Sequence, residues 1–214
     1  MKLTGDAGTI RDELKLMLSK DLPGESAQFR MTAREKITLE QHLDKRPDHR
    51  KSAVMLHLFM KEGELFTMII RRPDYDGTHG GQLALPGGKM DKEDEDLLAT
   101  AIRETREEVN VRVLPQNIIG KLTPVYIPVS NFLVQPFVAF LDAVPEWKKD
   151  EAEVAEIIEV PMSLLLDERV KTRKRISIGA HMFVETPCYD LNGNLLWGAT
   201  AMIFSELEEM MKRK

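Results

Sequence analysis

This 214-residue sequence has few of the features that mark secreted, membrane-spanning or nucleic-acid-binding proteins. Its single cysteine, Cys188, cannot form an internal disulfide, which fits a reducing compartment. No apolar stretch approaches the length of a membrane-spanning helix, and the N-terminus has no signal-peptide pattern. A formal net charge of -5 gives no basic field for nucleic acid. We therefore expect a cytoplasmic protein that binds neither membrane nor nucleic acid.

The composition is that of an ordinary globular domain with one substantial core, since 43% of residues are hydrophobic and 30% are charged. Helical patterns cover residues 9–19, 32–43, 95–110 and 199–211, with Thr200 as a candidate N-cap. Strand patterns cover residues 53–59, 65–71, 118–129, 132–141, 157–161, 175–178 and 182–189. Strands around a few helices predict the α+β class.

The first 50 residues differ from the rest of the chain. Residues 9–19 form an amphipathic pattern with Ile10, Leu14 and Leu18 on one face, and residues 24–50 are polar. We predict a helical extension over residues 1–50, followed by a single domain over residues 51–214. The extension would cap the fold or join the interface of a homodimer.

The most informative segment is an acidic helix that follows a glycine turn. It reads GGKMDKEDEDLLATAIRETREEVNV and runs from Gly87 to Val111. At 100° per residue, Glu104, Glu107 and Glu108 fall within about 100° of one another, away from the apolar face. Like charges at this spacing cost roughly 0.2–0.5 kcal/mol per pair on an isolated helix. A solvated acidic face is one interpretation. The other is a hard cation bound by oxygen ligands alone, which favours Mg²⁺ or Mn²⁺.

At this segment the chain resembles the Nudix hydrolases. Residues 103–108, RETREE, match the REUxEE core of the family signature, with Thr105 at the usual aliphatic position. Residues 85–88, LPGG, resemble the turn that precedes it. The resemblance implies the Nudix α/β/α sandwich with a mixed central sheet.

Three positions depart from that signature. Asp94 stands where the signature has glutamate, Arg103 comes one residue late, and Asn110 replaces the glycine that closes the helix. Asparagine is the next best residue for the left-handed conformation of a helix C-terminus, so the turn can survive the change. The one-residue insertion recurs in the coenzyme A pyrophosphatase branch of the family.

The stretch before the glycine turn extends the resemblance to that branch. Residues 68–88, MIIRRPDYDGTHGGQLALPGG, resemble its LLTxRSxxxRxxxGxxxFPGG element, with Arg72 and Gly81 in register. Gly77 replaces the second arginine of the element, and Arg71 is the candidate to compensate for it. The resemblance implies cleavage of coenzyme A or acyl-CoA to adenosine 3′,5′-bisphosphate and (acyl)phosphopantetheine.

The resemblance also implies roles for individual residues. The ligands of a Mg²⁺ or Mn²⁺ ion would be Glu104, Glu107, Glu108 and the carbonyl of Gly87. Catalytic roles would fall to Arg103, Glu104, Glu107 and Glu153, with Arg103 orienting a carboxylate and Glu153 acting as an additional ligand or base. Substrate contacts would come from Arg71, Arg72 and His79.

Two other functions stay open at this point. The same chemistry could act on another nucleoside diphosphate derivative, such as ADP-ribose or a dinucleotide. Alternatively, the chain could be a non-catalytic Nudix-like ligand-binding module. Such a module would be expected to lack one or more of the glutamates of the signature. The presence of Glu104, Glu107 and Glu108 argues against that module. Either enzyme would have a small-molecule nucleotide as its partner.

Overall fold

The computed structural model of the chain describes residues 4–33, 37–75, 80–177 and 183–213. Its helices are α1 (Ala7–Leu18), α2 (Glu25–Gln28), α3 (Leu39–Lys45), α4 (Leu97–Val109), α5 (Met162–Leu165) and α6 (Gly198–Lys212). Its strands are β1 (Arg50–Lys61), β2 (Glu64–Arg71), β3 (Leu83–Ala84), β4 (Gly87–Lys89), β5 (Ile118–Lys121), β6 (Val125–Ile127), β7 (Phe132–Leu141), β8 (Glu156–Pro161), β9 (Lys171–Ser177), β10 (Phe183–Leu191) and β11 (Asn194–Trp197). None of the described helices has the length and apolar character needed to cross a membrane.

Eight strands of the described residues form one mixed sheet around β1. The order is β3–β2–β1–β7–β5, and three short additions pair β4 with β1, β6 with β7 and β8 with β2. Strands β1 and β7 run parallel, with Val54 opposite Pro136, while β1 pairs with β2 and β4 in the antiparallel sense. Strands β9, β10 and β11 form a separate antiparallel sheet. The predicted mixed sheet is confirmed.

Helices cover both faces of the mixed sheet because successive side chains of β1 point to opposite sides. Met55 belongs to a buried cluster with Ala101 of α4 on one face. Leu58 belongs to a second cluster with Leu14 of α1 and Phe204 of α6 on the other face. The predicted α/β/α sandwich is therefore confirmed, and α1 shares its core.

A buried carboxylate ties the N-terminal segment to α6. Glu206 is fully buried and accepts hydrogen bonds from the Gly24 amide (3.1 Å), the Gln28 side chain (3.0 Å) and the Thr123 hydroxyl (2.5 Å). These partners lie before α2, within α2 and in the loop between β5 and β6, respectively. The domain boundary at residue 50 stays a prediction.

The turn that ends α4 and the turn between β1 and β2 both contain residues in the left-handed conformation, and the one that ends α4 agrees with the expectation from the sequence. Helix α4 ends at Asn110, whose φ of 57° and ψ of 31° are left-handed. The hairpin between β1 and β2 turns through Glu62 (φ 52°) and Gly63 (φ 79°). Two positive φ angles at the centre of a two-residue loop indicate a type I′ turn, whose twist matches that of the flanking strands.

Three local expectations were wrong. Residues 118–129 form two short strands, because Lys121 lies opposite Phe137 and Val125 opposite Val134, so that the three residues 122–124 face only two residues of β7. Helix α3 begins only at Leu39, where Thr38 and Gln41 form a capping box. Thr200 lies inside α6, whose N-cap is Trp197, and its hydroxyl donates to the Leu83 carbonyl (3.4 Å).

Candidate metal centre

Three carboxylates converge at the C-terminal half of α4. Glu104 and Glu108 lie one turn apart on the helix, and Glu153 comes from the loop that follows β7. One carboxylate oxygen from each residue lies within 4.8 Å of the other two, and no other group of three potential ligands was found among the described residues. Glu108 is 2% exposed, whereas Glu153 is exposed to solvent. This arrangement offers only oxygen ligands, which suit Mg²⁺ or Mn²⁺.

The buried member of the cluster is electrostatically unfavourable when ionised. Burial raises the pKa of Glu108 to about 8, and the nearby carboxylates of Glu104 and Glu153 also raise it. The Gly87 amide, which donates to Oε2 of Glu108 at 2.9 Å, and the charge of Arg72 act in the opposite direction. A divalent cation would favour the ionised form of all three carboxylates.

Two glycines of β4 allow close contacts, Gly87 with β1 and Gly88 with the Glu104 carboxylate of α4. A Cβ atom on Gly87, whose φ is 152°, would lie 2.2 Å from the Ala53 carbonyl oxygen. A Cβ atom on Gly88 would lie 2.3 Å from Oε1 of Glu104. Position 87 therefore requires glycine, because the clashing atoms belong to the backbone, whereas a side chain at position 88 would displace the Glu104 carboxylate. The described contact of Gly87 with the cluster is made by its amide, and a metal contact from its carbonyl stays a prediction.

Arg103 organises the carboxylates around it. Its guanidinium binds Asp94 in bidentate fashion, with Nε at 3.0 Å from Oδ1 and Nη2 at 2.9 Å from Oδ2. Its Nη1 also contacts Oε1 of Glu104 (2.9 Å) and Oε2 of Glu107 (2.8 Å). The bidentate partner holds the pKa of Asp94 well below its usual range. Arg103 thus holds the carboxylates of Asp94, Glu104 and Glu107 together.

Glu107 and Asp94 differ from what the sequence suggested. The side chain of Glu107 is 54% exposed, and its carboxylate pairs with Arg103 rather than joining the cluster of three. The side chain of Asp94 is 5% exposed and also accepts from the Thr100 hydroxyl at 2.9 Å. The sequence marked Asp94 only as a departure from the signature. Because its carboxylate is buried and accepts two hydrogen bonds from Arg103, Asp94 has a structural role.

Residues 148–155, which we call the Glu153 loop, bring the distant carboxylate to α4. The amides of Lys148 and Asp150 donate to the carbonyls of Val109 (3.1 Å) and Glu108 (2.9 Å) at the end of the helix. At its other end, the amide of Ala155 donates to the Arg71 carbonyl at 2.9 Å. The loop therefore spans from the last turn of α4 to the end of β2.

The predicted substrate-binding residues have different surroundings. Arg71 is engaged by Glu156 (2.9 Å) and by the side chain of Asn194 (2.5 Å). Nε of Arg72 is buried and has no hydrogen-bond partner, and the charge of Arg72 acts on Glu108. His79 lies outside the described residues. Arg72 is thus the cation best placed to meet an anion beside the cluster.

Comparisons with known proteins find similar sequences and folds. The family model described as NUDIX domain matches residues 48–178. "Uncharacterized Nudix hydrolase NudL" of Photorhabdus laumondii is 29% identical over 174 residues, covering 77% of this chain and 87% of the relative. The protein of that name from Yersinia pestis is 32% identical over 165 residues, covering 76% and 80%, respectively. The crystal structure of a NUDIX hydrolase from Alicyclobacillus acidocaldarius has a TM-score of 0.54 at 16% identity, covering 76% of this chain and 92% of that one, and it supports the fold.

Proposed function

This chain belongs to the Nudix hydrolase family, and we propose that it is a metal-dependent pyrophosphohydrolase of coenzyme A or acyl-CoA. Members of the family are pyrophosphohydrolases, so activity on a nucleoside diphosphate derivative follows from membership. The metal-dependent chemistry in this proposal rests chiefly on one observation. Glu104, Glu108 and Glu153 converge beside Arg72, whose buried Nε has no partner.

The cluster matches what diphosphate hydrolysis requires. The negative charge of a diphosphate repels an incoming nucleophile, so hydrolysis needs charge neutralisation and a positioned water molecule. We assign the Mg²⁺ or Mn²⁺ ligands to Glu104, Glu107 and Glu108, with the Gly87 carbonyl and Glu153 as additional ligands. An ion held by these residues would supply neutralisation of the phosphate charge and activation of water.

The chain's own groups then act on the substrate. A water oxygen attacks one phosphorus atom, its proton passes to Glu153, and the bond from that phosphorus to the bridging oxygen breaks. Each product keeps one of the two phosphates of the former diphosphate, and the bridging oxygen leaves with the phosphate that is not attacked. Arg103 keeps the carboxylates of Glu104 and Glu107 oriented through its contacts of 2.9 and 2.8 Å. Arg71, Arg72 and His79 bind the substrate, and a guanidinium suits a phosphate because it can donate two parallel hydrogen bonds.

The choice of coenzyme A follows from residues 68–88, in which Arg72 and Gly81 match the coenzyme A element. Gly77 departs from that element, which keeps ADP-ribose and dinucleotides as alternative substrates. We also propose a cytoplasmic location, since Cys188 is a free, buried thiol. A homodimer stays a prediction.

Side-by-side specificity constants test the substrate. We expect kcat/KM for coenzyme A to exceed that for ADP-ribose and nucleoside triphosphates, with Mg²⁺ or Mn²⁺ present. Chromatography should identify adenosine 3′,5′-bisphosphate and phosphopantetheine as the products. A clear preference for ADP-ribose would assign the same metal chemistry to the alternative substrate class.

Substitution of Arg72 tests the phosphate contact. Arg72→Ala should lower kcat/KM by the equivalent of roughly 1.5–3 kcal/mol, the worth of a charge-assisted hydrogen bond. Arg72→Lys should lose less, since it keeps the charge but not the bidentate fork. If Arg72 has only a structural role at the end of β2, Arg72→Ala will unfold at lower temperature while its folded fraction keeps the wild-type kcat/KM.

A further inference from the structure

The Glu153 loop has few side-chain anchors near the residue that it presents. Glu153 is exposed, and the neighbouring Val154 is fully buried in the cluster beneath α4. The described hydrogen bonds of Glu153 within this loop involve its backbone, whose amide donates to the Asp150 carbonyl at 3.3 Å. The direction of the Glu153 carboxylate therefore depends on how the loop backbone folds.

Asp150 makes most of the bonds that fold that backbone. Its amide donates to the Glu108 carbonyl at 2.9 Å, which docks the loop on α4. Its carboxylate accepts from the Ala152 amide at 2.7 Å, a turn in which an Asp side chain replaces a backbone acceptor. Its carbonyl accepts from the amides of Glu153 and Val154, at 3.3 and 2.9 Å. One residue thus bonds to the helix that holds Glu108 and to the turn that holds Glu153.

We propose that Asp150 is a positioning residue for the metal centre: its carboxylate closes the turn at residues 150–154 and so holds Glu153 beside Glu108. The inference rests on the proposed function in one respect, the role of Glu153 as a ligand. Asp150 itself does not touch the metal. Groups that orient ligands from outside the coordination shell change metal affinity or activity by about 10–100-fold when they are removed.

Binding of Mn²⁺ alone, measured by electron paramagnetic resonance, tests the proposal without a substrate. We expect Asp150→Ala to weaken Mn²⁺ binding by about 10-fold, which is the lower end of the range for groups that orient metal ligands. Asp150→Asn should stay close to wild type, because its side-chain oxygen can still accept from the Ala152 amide. Both variants lose the same negative charge, so the contrast separates the hydrogen bond from long-range electrostatics.

Asp167 supplies a matched control. Its carboxylate accepts from the Arg169 amide at 2.9 Å, the same turn geometry, at the 3₁₀ turn of residues 168–170 after α5. Asp167→Ala should leave Mn²⁺ affinity unchanged. Thermal unfolding of every variant in the presence of EDTA shows whether weaker binding reflects a smaller folded fraction, for which the affinity is then corrected.

Glu153→Gln separates failure of this inference from failure of the proposed metal site. If Glu153→Gln weakens Mn²⁺ binding but Asp150→Ala does not, the positioning role is wrong and the site stands. Equal weakening in Asp150→Ala and Asp150→Asn would also overturn it, since charge alone would then explain the effect. If Glu153→Gln binds Mn²⁺ as wild type does, Glu153 is not a ligand and the inference falls with it.

Discussion

Two threonines on α4 are both fully buried, yet only one has its hydroxyl satisfied. Thr100 donates to Asp94 at 2.9 Å, whereas Oγ1 of Thr105, at the aliphatic position of the signature, has no hydrogen-bond partner. Thr105→Val should raise the free energy of unfolding by about 1 kcal/mol. The substitution removes a hydroxyl group that gives up its hydrogen bonds to water on folding and gains no partner in the folded protein. Thr100→Val should lower it by a similar amount or more. Urea unfolding in EDTA measures both, and a stability loss in Thr105→Val would show that its hydroxyl does have a partner.

His57 gives the protein a specific sensitivity to acid. It lies on β1, fully buried, with neither ring nitrogen hydrogen-bonded, and its ring meets Trp147 edge-on at 5.9 Å. Burial lowers the pKa of His57 from 6.5 to about 3. Between pH 6.5 and about pH 3, His57 binds a proton in the unfolded chain but not in the folded chain. His57 should therefore destabilise the fold by about 1.4 kcal/mol per pH unit as pH falls well below 6.5.

The effect of His57 must be measured as a difference in unfolding free energy between the wild type and a His57 variant. Glu108 titrates in an overlapping range with the opposite sign, because its raised pKa lets the folded chain take up a proton as pH falls from 8. His57→Phe keeps an aromatic ring against Trp147 and removes the titration. Its unfolding free energy, measured from pH 7 to pH 4 in EDTA, should fall less steeply than that of the wild type. Parallel curves would contradict the assignment.

At the scale of elements, α4 depends on its C-terminal turn to aim Glu108. Asn110 holds φ at 57°, and its amide donates to the Arg106 carbonyl at 3.0 Å. Asn110→Ala should cost about 1 kcal/mol because a Cβ without a polar side chain is strained there. Asn110→Gly should be neutral or stabilising. Thermal unfolding compares the two, and equal stability of Asn110→Ala and Asn110→Gly would mean that the left-handed turn carries no strain.

The sequence predicted elements best where periodicity and turn chemistry act locally. The bounds of α4 and the hairpin at Glu62 and Gly63 follow from such signals. The break between β5 and β6 does not, because it depends on how residues 122–124 fit against the two residues of β7 that separate Phe137 from Val134. Among site residues, Glu104 and Glu108 share a helix face that the sequence displays. Glu153 joins them only through backbone bonds from the Glu153 loop to α4, which no local pattern encodes.

At the scale of the whole molecule, the N-terminal helix belongs to the core of the enzyme. Leu14 is fully buried in the cluster that contains Phe204, whereas Leu16 on the same helix is 58% exposed. Gly120 of β5 lets α1 come so close that a Cβ there would lie 2.8 Å from Cβ of Leu18. We propose that residues 1–50 unfold together with the rest of the chain.

Paired alanine substitutions test that proposal. Leu14→Ala should lower the free energy of the single unfolding transition by about 2–5 kcal/mol, the cost of a buried cavity. Leu16→Ala, which removes the same atoms from an exposed site, should change it little. A main transition that Leu14→Ala leaves unshifted would mean that α1 folds apart from the domain.

The central claim is that the glutamate cluster holds the metal ion that hydrolysis requires. The most direct test measures product release from coenzyme A in Mg²⁺, with and without EDTA. Wild-type turnover should vanish in EDTA, and Glu107→Gln and Glu108→Gln should lose turnover by orders of magnitude in Mg²⁺. Without metal, Glu108→Gln should unfold at the wild-type temperature or above it, since Gln replaces a buried carboxyl group whose ionised form is unfavourable. The control Glu206→Gln alters a buried carboxylate on α6, so its folded fraction should keep metal-dependent turnover. Near wild-type turnover in EDTA, or in Glu108→Gln, would contradict the account.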